Sequence, residues 1–149
     1  MERTEQVETP APPERLYAVV EDLGRYSEWL DIVVRASPAE ALAGDEGPAW
    51  SIELRGRLGP LARSKRLRMV RTVHDVPERV VFERREAGER SHSPWTLTAE
   101  VAPTADGSRL TMSLHYGGAL WGPMLERLLA DEVERARPRL VALLANDAF

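Results

Sequence analysis

The hydrophobic positions along the chain change their spacing twice. Apolar residues recur at helical spacing from about residue 13 to residue 33, alternate with polar residues as far as residue 116, and return to helical spacing towards the C-terminus. A period near 3.6 indicates an amphipathic helix, and a period of two indicates a strand with one buried face. The pattern therefore predicts helices on both sides of a β-rich middle.

The β-rich middle divides into six alternating runs, separated by segments such as G-D-E-G-P, D-V-P-E and T-A-D-G-S that are typical of turns. The runs are Ala36–Leu42, Ala49–Arg57, Ser64–Asp75, Arg79–Glu86, Ser93–Ala102 and Ser108–Tyr116. Because the connections are short, successive strands must pair antiparallel. Residues Arg3–Thr9 alternate weakly and end at P-A-P-P, which favours an edge strand and brings the number of strands to seven.

Two short helices are predicted between the first and second strands. Pro13 is tolerated in the first turn of one helix, and Gly24 is placed to end it. The second helix is predicted from the apolar spacing of Tyr26, Trp29, Leu30, Ile32 and Val33. A long C-terminal helix is indicated by one broad apolar stripe, made by Trp121, Met124, Leu125, Leu128, Leu129, Val133, Ala136, Leu140, Leu143 and Leu144.

The stretch from Val7 to Val34, V-E-T-P-A-P-P-E-R-L-Y-A-V-V-E-D-L-G-R-Y-S-E-W-L-D-I-V-V, closely resembles the start of the START-like, or helix-grip, superfamily. That superfamily includes polyketide cyclases, aromatases and lipid-transport proteins, and the resemblance covers essentially the whole chain. It implies one α+β domain over residues 1–149, in which a seven-stranded curved antiparallel sheet wraps around the C-terminal helix. It also implies an apolar cavity between the sheet and that helix.

The candidate ligand-binding residues occupy the apolar face of the strands and the facing side of the helices. They are Trp29, Trp50, Ile52, Leu54, Met69, Phe82, Arg84, Trp95, Leu97, Met112, Leu114, Tyr116, Trp121, Met124, Leu125, Leu128 and Glu132. A curved sheet cannot contact one helix across its whole width, so one flank is either a pocket or filled by bulky side chains. Large Trp and adaptable Met side chains suit both alternatives.

Three of these candidates could bring polar chemistry to the cavity. Arg84 falls on the apolar face by alternation, and Glu132 lies on the shoulder of the helix stripe, so a buried Arg84–Glu132 pair could hold a ligand carboxylate or enolate. Both side chains could instead reach solvent, through a strand bulge or by extending along the helix. Tyr116 could present its hydroxyl at the cavity mouth, and no particular residue is predicted to be catalytic.

Composition narrows the chemistry further. The chain has no cysteine, and His74, His92 and His115 are scattered without metal-ligand spacing, so we expect neither a metal nor a cofactor. Each histidine is predicted to be a solvated surface group, which argues against a Ser-His-Asp hydrolase.

Charge and hydropathy bear on partners and location. A net charge of −4 with interspersed arginines disfavours nucleic-acid binding. No apolar run approaches the roughly 20 residues that cross a bilayer, so we expect a cytoplasmic protein without stable membrane insertion. The chain would act as a monomer or a homodimer.

These features predict a protein that binds or transports a hydrophobic small molecule, such as a lipid, polyketide-like or isoprenoid compound, in the cavity between the sheet and the C-terminal helix. The alternative implied by the resemblance is a polyketide aromatase/cyclase that promotes aldol cyclisation and dehydration. A third class, a protein-interaction module such as the co-chaperone or toxin-like members of this fold, is disfavoured by the polar outer face of the sheet.

Overall fold

A computed structural model describes residues 1–58, 61–88, 90–118 and 122–146. The strands are β1 (Glu2–Thr9), β2 (Val33–Ala39), β3 (Ala49–Leu58), β4 (Leu61–Asp75), β5 (Arg79–Arg84), β6 (Trp95–Pro103) and β7 (Ser108–Tyr116). The helices are α1 (Pro13–Val20), a short 3-10 helix (Leu23–Glu28) and α2 (Gly122–Asn146). This arrangement confirms the predicted helix-grip fold.

All seven strands form one antiparallel sheet in the order β1-β7-β6-β5-β4-β3-β2. The order follows the chain from β2 to β7, because each connection is short enough to return the chain beside the strand it has just left. Strand β1 then pairs with β7, so β1 and β2 are the two edge strands.

The period-two pattern correctly predicts which side chains face inward. Val80, Phe82 and Ala99 are fully buried, and Leu110 is buried as well. Glu100, Arg66 and His115, which the same alternation assigns to the outer face, are exposed. One face of the sheet is therefore apolar and the other is polar, as is common for antiparallel sheets.

The second predicted helix differs from the observed structure. The 3-10 helix ends at Glu28, and the chain enters β2 at Val33, three residues before the predicted start of that strand. The residues from Trp29 to Val33 are apolar at a spacing that suits both a helix and the rim of a buried face. Tertiary contacts, which the local pattern does not contain, decide between the two.

Helices α1 and the 3-10 helix cover one end of the concave face, and their aromatic side chains pack it densely. Tyr26 lies 5.1 Å from Trp29 between ring centroids and meets Phe82 edge-on at 6.0 Å. Phe82 in turn meets Trp50 edge-on at 5.6 Å. We call this region, defined by Tyr26, Trp50 and Phe82, the packed end.

Helix α2 crosses the remainder of the concave face and contacts β1, β3, α1 and the 3-10 helix. Its buried side chains include Leu125, Ala136, Leu140 and Leu144, which repeat at the spacing of one helix face. The helix continues through Pro138. Arg15 of α1 donates a hydrogen bond to the carbonyl of Leu144, which ties the two helices together near the C-terminal end of α2.

Candidate ligand-binding cavity

An apolar cavity of about 160 Å³ lies between the concave face of the sheet and α2. Its walls come from six of the seven strands, from the segment around the 3-10 helix and from α2, which contacts β1 and β3. Nearly all the lining atoms that a ligand would touch are carbon or sulfur. The burial of apolar ligand surface is therefore the main interaction that this space offers.

Most of the predicted ligand-binding residues line this cavity. These are Trp29, Ile52, Leu54, Met69, Trp95, Leu97, Met112, Leu114, Leu125 and Glu132. Strand alternation places those of the sheet on its concave face, and helical spacing places Leu125 and Glu132 on the side of α2 that faces them. Whether they hold a ligand remains a prediction.

Trp50 and Phe82 are buried but do not line the cavity. They lie at the packed end, where Tyr26 covers Phe82 and the guanidinium of Arg71 lies 6.0 Å from the Trp50 ring. Alternation correctly predicts that they face inward. It does not predict that the 3-10 helix fills the space above them.

Arg84 and Tyr116 also lie away from the cavity. Arg84 is turned inward, as alternation predicts, but its guanidinium donates to Glu86 Oε1 at 3.0 Å and to the carbonyl of Ser93 at 3.2 Å. Neither bond involves Glu132, so the hypothetical Arg84–Glu132 pair is not formed. Tyr116 is buried, with its ring centroid 4.8 Å from that of Trp95. It therefore packs against a lining residue without lining the cavity itself.

Leu128 lies beside the cavity rather than in its wall. It borders a small neighbouring crevice with Gly56 and Leu125, where α2 approaches β3 closely. Trp121 lies outside the described residues, and so does the side chain of Met124.

Glu132 is only 3% exposed and is held by two partners. Its Oε1 accepts a hydrogen bond from the backbone N–H of Asp31 at 2.5 Å, and its Oε2 lies 3.2 Å from the guanidinium of Arg135. The Asp31 carboxylate also pairs with Arg135 and Arg139, and Arg139 donates to the carbonyl of Glu28. We call these five residues the latch, because they join α2 to the segment that carries Trp29, Leu30 and Ile32.

Two further charged residues line the cavity and were not among the predicted site residues. Arg3 and Glu5 of β1 face inward, and the Arg3 guanidinium lies 2.6 Å from Glu5 Oε1. The weak alternation of β1 contained the signal, since Arg3, Glu5 and Val7 share one face of a strand. The prediction of β1 as an edge strand did not include the inward direction of these two side chains.

The other lining residues that were not among the predicted site residues lie on β1 or on elements whose apolar face the sequence pattern indicates. They are Val7, Leu23, Tyr26, Leu30, Ile32, Val33, Leu67, Leu110, Leu129, Val133 and Ala136. Among them, Tyr26 donates its hydroxyl to the carbonyl of Val20 at 2.9 Å. Complete burial raises the pKa of Tyr26 far above its usual value, so the phenol stays neutral. Tyr26 therefore contributes its ring to the cavity lining and does not act as an acid or base.

Three buried nitrogens lack a hydrogen-bond partner in the part of the chain that the structure describes. They are Arg3 Nε, Trp29 Nε1 and Trp95 Nε1, and all three belong to residues that line the cavity. A buried donor without an acceptor costs about 1–3 kcal/mol, so three such donors among the residues that line one cavity make this wall energetically costly in the free protein.

The histidines lie away from this site. His74 stacks on Tyr17 with centroids 6.0 Å apart and contacts Glu21, and His115 contacts Glu2 on the outer face. Within the described residues, no three His, Cys, Asp or Glu side chains come together as metal ligands. None of the helices described there is both long and apolar enough to cross a bilayer.

A curved antiparallel sheet that grips a C-terminal helix over an apolar cavity defines a START-like, helix-grip protein. The chain belongs to the family described as polyketide cyclase / dehydrase and lipid transport, whose model matches residues 2–145. It is 30% identical over 121 residues to Toxin Rv0910 of Mycobacterium tuberculosis, in an alignment that covers 79% of this chain and 78% of that protein.

Two solved structures show the same fold at lower identity. A START superfamily protein from Mycobacterium smegmatis has a TM-score of 0.70 and 13% identity, over 97% of each chain. The di-domain ARO/CYC StfQ of the steffimycin biosynthetic pathway has a TM-score of 0.69 and 12% identity, over 99% of this chain and 51% of that one.

Proposed function

We propose that this protein binds a hydrophobic small molecule in the cavity between its sheet and α2. The observation that carries the proposal is the cavity itself, about 160 Å³ of space with almost wholly apolar walls. Unfilled apolar space costs stability, because the side chains around it lose packing partners. A guest would restore those contacts and gain about 0.8 kcal/mol for each methylene removed from water.

The size of the cavity limits the guest. Engineered apolar cavities of about 150 Å³ hold one benzene ring, and pockets for drug-sized ligands measure about 300–1,000 Å³. A cavity of about 160 Å³ therefore suits one ring or a short chain. A longer lipid or a multi-ring compound would fit only if α2 moved away from the sheet.

Cyclisation of a polyketide, the alternative within the same family, has less support from the cavity walls. Such a reaction needs a group that moves a proton at the reacting carbon. Arg84 and Tyr116, which were candidates for polar chemistry, lie outside the lining, and both carboxylate oxygens of Glu132 are already bonded. The other carboxylate in the described lining, that of Glu5, is paired with Arg3. Simple binding requires none of these groups.

A ligand carried through purification would be the most direct support for binding. We expect native mass spectrometry of the freshly purified protein to show an added mass that disappears after denaturation. The expected guest is small and apolar, in keeping with the cavity volume. A protein that is always empty, and that also takes up no hydrophobic dye, would contradict the proposal.

A matched pair of variants tests where the dye binds. Leu114 lines the cavity, so Leu114→Arg should place a charge in apolar surroundings and abolish dye uptake or unfold the protein. Val34 is 43% exposed on β2, so Val34→Arg should leave uptake unchanged. Equal uptake by both variants, with native thermal stability, would show that the dye binds elsewhere.

A second candidate function is a toxin activity, favoured by the 30% identity with Toxin Rv0910. Induced expression in a bacterial host should then slow growth, and the Leu114→Arg variant shows whether the cavity is needed. Normal growth with soluble, folded protein present would remove this candidate.

A further inference from the structure

The charged residues of the cavity wall differ in whether they can form a new bond to a ligand. Within the described lining they are Arg3, Glu5 and Glu132. Glu132 is almost wholly buried, with both oxygens bonded within the latch, so it serves to hold the fold. Arg3 and Glu5 retain side-chain exposures of 27% and 34%, so they can exchange partners.

Arg3 has N–H donors that its ion pair with Glu5 does not use. A guanidinium carries five N–H donors, and its ion pair with Glu5 engages one terminal nitrogen, at 2.6 Å. Its Nε is buried and has no partner within the described residues. An arginine with unused N–H groups can donate to a second carboxylate, and the fork geometry of the guanidinium favours two parallel bonds to that carboxylate.

Arg3 lies on the inward face of its strand, beside residues that line the cavity. In the β1–β7 register Arg3 lies opposite Leu114, and Glu5 lies opposite Met112, and both partners line the cavity. The ion pair therefore stands at the rim of an apolar space. Glu8, on the outer face of the same strand, pairs with Arg109 of β7 at 2.8 Å, where both side chains are exposed.

The indole nitrogens of Trp29 and Trp95 indicate the same ligand chemistry. Both are donors without acceptors in the described part of the chain, and both belong to the lining. A purely hydrocarbon guest would leave all three donors unpaired, whereas an oxygen-bearing guest brings the kind of acceptor that these donors lack.

We infer that the natural ligand is a small apolar acid, whose body fills the cavity and whose carboxylate pairs with Arg3 at the β1 rim. The inference rests on the proposed binding function and specifies its ligand class. In the free protein Glu5 occupies the place of the ligand carboxylate. Binding exchanges this internal ion pair for one with the ligand.

Phenylacetate and 2-phenylethanol test the inference, because they share a ring and a two-carbon arm and differ in the acid group. Binding is followed by NMR titration of the indole N–H signals, assigned with Trp→Phe variants. We expect the native protein to bind phenylacetate at least about tenfold more tightly than the alcohol, as a charge-assisted bond would produce. Arg3→Gln should abolish this preference and leave the affinity for the alcohol unchanged.

Two further variants complete the test. Glu5→Gln frees Arg3 from its competitor and should strengthen phenylacetate binding. Arg109→Gln removes an arginine of the same strand pair on the outer face and should retain the native preference.

Equal affinity for acid and alcohol in the native protein would overturn the inference and leave hydrophobic binding intact, with Arg3 and Glu5 then protecting the edge strand from pairing. Binding of neither compound, by a protein that still takes up hydrophobic dye, would overturn the inference alone, whereas a protein that binds neither compound nor dye would overturn both proposals. An acid preference that survives Arg3→Gln would show that Arg3 is not the partner.

Discussion

At the scale of single residues, Glu132 shows how a buried charge is made tolerable. The cost of burying a carboxylate is offset when it is paired and hydrogen-bonded, and Glu132 has one partner of each kind. Its location on the shoulder of the helix stripe could be predicted from the sequence. The pair with Arg135 is local, three residues along the same helix, but the bond from Asp31 could not be predicted because Asp31 lies 101 residues earlier in the chain.

Glu132→Ala should lower the free energy of unfolding by about 1–3 kcal/mol, because the N–H of Asp31 loses its acceptor. Glu132→Gln retains an acceptor oxygen and should lose less. Urea denaturation followed by circular dichroism measures both variants. Glu134→Ala, at an exposed position of the same helix, is the control and should change stability little.

Asp45 is the residue whose titration should affect stability most clearly. Bidentate hydrogen bonds from Arg68, at 2.6 and 3.1 Å, and a bond from the backbone N–H of Leu42 lower its pKa to about 2. The usual value is about 3.9, so the folded protein holds this proton less tightly than the unfolded chain. The resulting stabilisation is present above about pH 4 and is lost as the pH falls towards 2.

Asp45→Asn should therefore be less stable than the native protein at neutral pH, and the difference should shrink between about pH 4 and pH 2. Thermal unfolding across this range measures it. Asp106→Asn, at an exposed turn, should show no such convergence. A constant difference at every pH would mean that Asp45 acts through packing and not through its charge.

At the scale of elements, the approach of α2 to β3 depends on Gly56. A Cβ atom at this position would lie 2.5 Å from Leu128 Cδ1, closer than packed atoms come. A glycine inside a strand often marks such a close approach. The glycine therefore helps to set how near α2 lies to the sheet, and hence the depth of the cavity beneath it.

Gly56→Val should destabilise the protein by about 1–3 kcal/mol, because it overpacks the contact between β3 and α2. Leu128→Ala in the same chain should recover part of the loss by making room for the larger side chain. A double-mutant cycle in urea measures the coupling. Strictly additive effects would show that the added side chain is accommodated without displacing the helix.

At the same scale, the sequence predicts helices and strands well where one period persists. The alternation from Ala49 to Tyr116 indicates each observed strand with ends that differ by a few residues. The pattern was misleading from Trp29 to Val33, where one set of apolar positions suits both a helix and an extended segment. Such short segments obtain their conformation from the surfaces that they cover.

At the scale of the whole molecule, the latch joins α2 to the segment after the 3-10 helix and so closes one side of the cavity. Asp31 is central to it, because its N–H bonds Glu132 and its carboxylate pairs with Arg135 and Arg139. The pairs with the arginines are partly exposed, so salt should weaken them.

Asp31→Asn should speed the release of bound dye by up to about fivefold, the amount expected when an exposed pair worth about 1 kcal/mol is lost. Stopped-flow measurements of dye release at low and high salt test this. The release rate of the native protein should approach that of the variant as the salt concentration rises. Glu8→Gln, which breaks an ion pair on the outer face, is the control. Equal release rates at low salt would show that ligands leave by another route.

The order of the elements, the inward face of each strand and the apolar side of the long helix are all specified by the local sequence pattern. These properties repeat along the chain with a fixed period and so can be read locally. Which of the inward-facing residues border the cavity depends on the packing of distant elements. Trp50 and Leu54 both face inward on β3, yet Trp50 is covered at the packed end and Leu54 borders the cavity. The difference depends on where α2 and the 3-10 helix lie, and residues distant in the chain set those positions through packing.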